Sequence, residues 1–419
     1  MNQFYPNHRK IVNDPVYGFV TIPGDFLFSL IEHPLFQRLR RIRQLGLTSF
    51  VYPGALHTRF HHALGAMHLM MEAIETLRMK GSIITENEAE ATLAAILLHD
   101  IGHGPYSHSL EHSIVTGMSH EVLSSFLMQR LNKEFEGRLE LAISIFSNNY
   151  HKRFLHQLVS SQLDMDRLDY LKRDSFYTGV SEGVINTDRL IKMLIVKDDE
   201  LMMEAKGIYS IEKFIVARRL MYWQVYYHKT VVGAENMMIN LLRRAKYLVS
   251  NGEELFASPP FKFFLKNSFT KDDFIRNPEL IEQFALLDDY DVFNSIKVWV
   301  NHPDSIISFL ANGLVNRKLM RTELSNTPFS NDEITFIREK IKTMFINIDI
   351  KDTEYLFSEG EISNNAYIPE HDKINILNKD GSVVDITDSS DQLNVSILTK
   401  SVTKYFLCYP KEINRKKND

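Results

Sequence analysis

"LLHDIGHGPYSHSLEH", residues 97–112, sets His99, Asp100, His103, His108 and His112 beside two glycines and a proline. Nine of the chain's sixteen histidines fall between His57 and His120. Histidine is the commonest metal ligand and titrates nearest neutral pH, so such crowding points to chemistry rather than packing. The run "EAEATLAAILLHD" (88–100) reads as an apolar helix ending at His99-Asp100, where Gly102 and Gly104 break it. An ionised aspartate at the end of such a helix is costly unless it is paired or binds a metal. Adjacent imidazole and carboxylate groups offer one nitrogen and one oxygen ligand, a mixed set that suits Mn, Fe, Ni or Zn. The blander alternative is that Asp100 caps the following turn.

Three further stretches carry the same kind of signal. In "RFHHALGAMHLMMEAIETL" (59–77), His62, Ala66, Leu69, Met70, Ala73 and Leu77 share one helical stripe. His61, Gly65, His68, Glu72 and Glu75 form the opposite, polar face, so His62 points inward and His61 outward. In "SSQLDMDRLDYLKRDSFYTGV" (160–180), Asp166, Tyr170 and Asp174 lie at i, i+4 and i+8. Asp169 and Arg173 read there as an ordinary exposed i, i+4 pair. Spacing does not choose between Asp164 and Asp166 as a ligand. In "ARRLMYWQVYYHK" (217–229), Arg218, Tyr222 and Tyr226 repeat the stripe on a fourth helix. Such a face packs, or it presents a guanidinium to phosphate and rings to a sugar or base.

The chain as a whole is 419 residues, 44% hydrophobic and 24% charged, enough for two or three domains with a substantial core. One cysteine, Cys408, excludes an internal disulfide framework and fits a reducing, cytoplasmic setting. "MNQFYPNHRK" lacks an apolar signal region, and no run approaches the ~20 apolar residues of a membrane span. A net charge of −5 disfavours long nucleic acid. Basic clusters at 37–43, 217–219 and 243–246 are solvated faces or seats for a small, highly charged anion. Residues 11–22 read as strand, turn, strand, and 194–210 as a hairpin around Asp198-Asp199. Two β-rich runs flank Lys379-Asp380-Gly381 within 374–386, and 402–410 reads as another strand. The expected architecture is mainly α: a helical domain over 1–330 with small β-hairpins, then a small α+β region over 331–419.

The order His62, His99-Asp100, Asp166 resembles the H…HD…D pattern of the HD-domain metal-dependent phosphohydrolases. The flanks "NDPVYG", "FQRLRRIRQLG", "HTRFHHALG", "HDIGHGPYSH" and "DMDRLDYLKRD" resemble the dNTP triphosphohydrolase branch of that family. The likeness runs over roughly residues 8–250. It implies an HD-domain helical core in which His62, His99, Asp100 and Asp166 bind a divalent metal (Mn, Mg, Fe, Ni or Zn). Arg59, Arg167 and Arg218 would hold phosphates, Arg167 standing where vertebrate members carry a lysine. Gln44, Tyr170 and Asp174 would surround the deoxyribose, with Tyr170 crowding a 2′-OH. Tyr222 replaces a histidine of the vertebrate members, and Tyr226 matches a tyrosine at the substrate.

The resemblance also implies that His108, with Glu111 and His120 behind it, donates a proton; Glu111 stands for an aspartate. Lys10, Ile11, Glu32, Gln37 and Arg40 match positions that hold an activating nucleotide at a subunit interface. Lys206, His228 and Lys229 resemble a second nucleotide pocket, although Glu204 and Ile195 stand where basic residues are expected. The implied activity is cleavage of a dNTP to deoxynucleoside and triphosphate by a homo-oligomer, dimer or tetramer. The rival readings are another nucleotide phosphohydrolase or phosphodiesterase on the same scaffold, and a non-catalytic nucleotide sensor.

Overall fold

Thr85 and Glu88 start the helix that delivers the His99-Asp100 pair. The Glu88 carboxylate accepts from the Thr85 amide at 2.8 Å, and the Thr85 hydroxyl oxygen accepts from the Glu88 amide at 3.2 Å. This reciprocal cap begins the helix at Glu86 rather than Glu88, and it ends at Leu98. The computed structural model describes residues 10–106, 113, 117–345, 348–368, 373–389 and 399–413. The helices that matter for the site are α1 (Gly24–Glu32), α2 (Arg59–Met79), α3 (Glu86–Leu98), α4 (His120–Glu134), α5 (Met165–Thr178), α6 (Ile208–Met221) and α7 (Lys229–Ser250).

Helix α2 packs against both α3 and α5. Ala63, Ala66 and Ala73 on α2, with Ala94 and Ala95 on α3, are fully buried, and such small residues let the helix axes approach. His62, Leu69, Met70 and Leu77 occupy the inward stripe, each 0–1% exposed. A buried Leu or Met of this kind contributes ~1.5–3 kcal/mol. The fold is therefore mainly helical, as expected, with small sheets at its margins. Among the described residues no helix is long and apolar enough to cross a membrane.

The strands are short. β1 (Lys10–Asp14) and β2 (Gly18–Ile22) form an antiparallel hairpin. β3 (Leu194–Lys197) and β4 (Glu200–Glu204) form a second, turning at Asp198 and Asp199, which take φ of 54° and 58°. β5 (Arg321–Ser325) and β6 (Ser358–Asn364) both pair with β9 (Val402–Tyr409). β7 (Asn375–Leu377) adds parallel to β4 and pairs with β8 (Val383–Asp385). Residue 330 thus lies between β5 and β6, two strands of one sheet.

The basic run at 37–43 is neither a solvated face nor an open anion seat throughout. Arg38 is 1% exposed, and its guanidinium donates to the carbonyls of Leu287 at 2.9 Å, Ile101 at 2.8 Å and His103 at 2.9 Å. Arg41 pairs with Asp288. Buried Asp289 accepts from the amides of Arg43 at 2.9 Å and Tyr106 at 3.0 Å. Burial lifts the Asp289 carboxyl to about 6, against the pull of those two amides. Arg244, in the third basic run, is also buried and pairs with Asp304 and Asp352. A short basic run reads as a solvated face or an anion seat from sequence alone; here carbonyls and carboxylates distant in sequence bury Arg38 and Arg244.

Arg38→Ala strips three buried carbonyls of their donor. Since each unmet buried group costs about 1–3 kcal/mol, unfolding free energy in urea should fall by roughly 3–5 kcal/mol. An unchanged urea midpoint would contradict the clamp.

Candidate metal centre and nucleotide site

Asp164 caps α5, accepting from the Arg167 amide at 2.7 Å, and also pairs with the Arg167 side chain. That occupies Asp164 and turns the next carboxylate, Asp166, toward α2 and α3. Asp166 Oδ1 lies 3.0 Å from His62 Nε2 and 3.4 Å from His99 Nε2, and the two Nε2 atoms are 3.4 Å apart. Asp100 completes the group, with Oδ1 3.4 Å from His99 Nε2 and Oδ2 3.8 Å from His62 Nε2. Of the two carboxylates that spacing leaves open, Asp166 is the one beside both rings.

Each imidazole has its other nitrogen engaged. His62 Nδ1 donates to Asp169 Oδ2 at 2.7 Å, and His99 Nδ1 donates to the Ile96 carbonyl at 2.6 Å. Both Nε2 atoms consequently face the two carboxylates. This is the donor arrangement of metal-binding histidines, in which an acceptor on the far nitrogen fixes tautomer and ring angle. The residues fit a divalent cation held by two imidazoles and two carboxylates. Without one, burial opposes charge on His62, yet its hydrogen bonds to the Asp166 and Asp169 carboxylates push it up to about 10. Asp166, despite its own burial, is held well below the carboxylate range by the same two rings.

Asp169 and Arg173 do not form an exposed surface pair. Both side chains are 0% exposed. Arg173 donates through Nε and Nη2 to the two oxygens of Asp169, each at 2.9 Å, and through Nη1 to Asp14 on β1 at 2.8 Å. Gly65 makes room for this: a Cβ there would lie 2.0 Å from Asp169 Oδ1 and 2.1 Å from Arg173 Nη2. The polar face assigned to α2 is therefore covered by α5 at Gly65. The i, i+4 spacing was visible; its burial depends on a glycine in another helix.

A second donor group, Asp100, His103 and His120, adjoins the first, its candidate atoms all within 4.8 Å of one another. His103 Nε2 is 3.3 Å from Asp100 Oδ1, and its ring stacks on that of His120 at 3.9 Å. Burial, then the nearby Arg59 charge, pulls His103 well below the usual histidine range. His103 was not singled out from the sequence, although it lies in the histidine-rich stretch. His108 and Glu111 lie outside the described residues.

Of the three arginines expected at phosphate, Arg59 adjoins this group directly. Arg59 is buried and donates from Nη1 to Asp100 Oδ2 at 2.5 Å. Arg218 is buried, with Nη1 on Gln162 Oε1 at 3.1 Å and an Nε without a partner among the described residues. Arg167 is tied to Asp164, its Nε also unpartnered. Tyr226 donates its hydroxyl to Asp174 Oδ2 at 2.7 Å and packs its ring 6.2 Å from Tyr170 and 5.1 Å from Tyr222. Gln44 has a buried, unpartnered Oε1. The helix of Arg218 does not run on through Tyr226: at Tyr222–Tyr226 the chain widens into a π turn, closed by the Tyr227 amide on the Tyr222 carbonyl at 2.7 Å. Such turns re-aim side chains and recur at functional sites.

The positions matched to nucleotide pockets lie elsewhere. Lys10 and Ile11 are exposed on β1, with the Lys10 ammonium over the Phe28 ring. Glu32 is exposed at the end of α1, and Arg40 donates to Gln37 Oε1 at 2.8 Å while covering Phe60. Lys206 pairs with Glu204, which also pairs with Lys80. His228 caps α7, Lys229 begins it, and Ile195 lies in β3.

Comparison with known proteins agrees with this geometry. The HD domain model matches residues 59–174, and an HD associated region matches 185–255. A solved phosphohydrolase from Bacteroides thetaiotaomicron is 55% identical, with a TM-score of 0.93 over 96% of this chain and 100% of that one. The uncharacterized protein YwfO of Bacillus subtilis is 31% identical, covering 98% of this chain and 95% of its own length. A Dictyostelium discoideum protein named deoxynucleoside triphosphate triphosphohydrolase SAMHD1 homolog is 30% identical over 65% of this chain; the match spans 56% of that protein.

Asp169→Asn leaves the ligands in place but withdraws the carboxylate behind His62. Metal affinity should drop roughly 10–100-fold, read by competitive chelator titration, with circular dichroism checking the fold. A folded variant that binds metal as tightly as wild type would refute the role of Asp169.

Proposed function

Within the HD-domain phosphohydrolase family, to which this chain belongs, we propose that it hydrolyses deoxynucleoside triphosphates at the α-phosphate, releasing deoxynucleoside and triphosphate. The observation that carries this reading is the convergence of His62, His99, Asp100 and Asp166 beside buried Arg59. A divalent ion held there (Mn, Mg, Fe, Ni or Zn) would neutralise phosphoryl charge and lower the pKa of bound water from 15.7 toward ~7. Arg59 and Arg218 bind phosphate oxygens and stabilise negative charge as it develops; Arg167 adds a third cation. Asp100 holds Arg59 by a charged hydrogen bond, which keeps that guanidinium beside the ligands.

On the sugar side, Asp174 and Gln44 receive the deoxyribose, and the Tyr170 and Tyr226 rings pack around it; Tyr222 lines the same wall. His108, with Glu111 and His120 behind it, delivers the proton to the departing 5′-oxygen, the task of an oriented general acid. Regulation belongs to the same proposal. The chain assembles as a homo-oligomer, dimer or tetramer, in which Lys10 and Arg40 hold the phosphates of an activating nucleotide. Glu32 and Gln37 meet its base beside Ile11. Exposed Ile11 and Phe19 on the β1–β2 hairpin support burial of that face between subunits.

The test is to supply the four dNTPs singly and mixed, with Mg or Mn, and to identify products by phosphorus NMR. Inorganic triphosphate and deoxynucleoside are expected, with faster turnover in mixtures. Release of diphosphate or orthophosphate instead would overturn the reaction assigned. Tyr170→Ala should narrow the preference for dGTP over GTP.

A further inference from the structure

Residues 42–44 run antiparallel to 57–59. Arg43 bridges Thr58, the Gln44 amide donates to the His57 carbonyl at 3.0 Å, and the Arg59 amide donates to the Ile42 carbonyl at 3.0 Å. His57 therefore lies opposite Gln44 in this ladder and two residues before Arg59. It is 2% exposed, and its ring stacks on Tyr177 at 4.4 Å with an interplanar angle of 18°. Gly54 lies against the same tyrosine's main chain, where a Cβ would come 2.6 Å from the Tyr177 carbonyl oxygen.

The His57 ring makes one polar contact among the described residues: Nε2 donates to Asp174 Oδ1 at 2.7 Å. Its Nδ1 is buried with no partner. Burying that nitrogen unpaired costs free energy, so the polar role of the ring rests on Nε2. The other oxygen of Asp174 accepts from Tyr226. One donor on each oxygen pins the carboxylate in plane and leaves it with further acceptor sites.

We propose that His57 is a positioning residue for sugar recognition: it holds Asp174 so that the carboxylate accepts the 3′-hydroxyl of the substrate. This rests on the dNTP reading above. In a 2′-deoxynucleoside 5′-triphosphate the 3′-hydroxyl is the sugar's one hydrogen-bond donor, and an ionised carboxylate only accepts. A fixed acceptor rejects a substrate lacking that hydroxyl, because the buried oxygen is then left unpaired. The Tyr177 stack and the carbonyl bond to Gln44 keep the imidazole in register with Asp174.

The experiment compares KM and kcat for the four dNTPs and the matching 2′,3′-dideoxy compounds, in wild type, His57→Phe and His57→Gln. Wild type is expected to show a lower KM for the deoxy than for the dideoxy compound. His57→Phe keeps a ring on Tyr177 but removes the donor. It should raise KM for the dNTP roughly ten-fold, about the worth of one hydrogen bond, with kcat and the dideoxy KM nearly unchanged. His57→Gln, which restores an N–H, should recover part of the loss. A His57→Phe change that is equal for both substrates, or absent, overturns the positioning role while leaving the dNTP reading intact. Equal wild-type KM values for the two compounds overturn it without any variant. A wild type that hydrolyses none of the eight nucleotides overturns the dNTP reading and this inference together.

Discussion

The buried ion pair between Arg173 and Asp169, sealed under Gly65, is the contact on which the site depends. Two charges removed from water are tolerable only when their remaining hydrogen-bonding groups are met. Arg173 donates three hydrogen bonds to Asp169 and Asp14, and the Asp169 carboxylate also accepts from His62 Nδ1. The hairpin β1–β2, helix α2 and helix α5 are joined at that point. The His62 ring is left one productive orientation, with Nε2 toward Asp166 and Asp100. Because both charges are buried, removing the Arg173 guanidinium would leave the Asp14 and Asp169 carboxylates without their cation in the interior.

Two other anchors bring groups to the same place by backbone rather than by charge. Arg38 grips the carbonyls of Ile101 and His103 immediately after the ligand pair, and Asp289 grips the amide of Tyr106. The loop leaving His99 and Asp100 is thus fixed from behind by segments distant in sequence. On the other side, the short ladder of 42–44 with 57–59 sets Gln44, His57 and Arg59 in a row. Main-chain hydrogen bonds fix the spacing of these three residues.

What could be read in the residues alone follows from the range of the forces involved. The inward stripe of α2 and the apolar run of α3 are local periodicities, so His62, His99 and Asp100 were legible as an inward set. Hairpins at Asp198-Asp199 and Asp380-Gly381 were legible from turn chemistry, which acts over a few residues. The Thr85–Glu88 cap was also local, and the start of α3 was read two residues late for want of it. Asp169 with Arg173 was misread because an i, i+4 pair looks the same exposed or buried; Gly65 decides, and it lies in another helix. Arg38 was misread for the same reason, its acceptors being carbonyls near residues 101 and 287. The π turn at Tyr222–Tyr226 left no pattern in the sequence that periodicity could register.

The account turns on His62 being held by Asp169 so that its Nε2, with His99, Asp100 and Asp166, forms one metal centre. Anomalous diffraction from metal-loaded crystals, recorded on both sides of that metal's absorption edge, tests this most directly. The expected map has a peak within bonding distance of His62 Nε2, His99 Nε2 and the carboxylates of Asp100 and Asp166, with Asp169 still on His62 Nδ1. A metal peak away from these four residues, or one reached through His62 Nδ1, would contradict it.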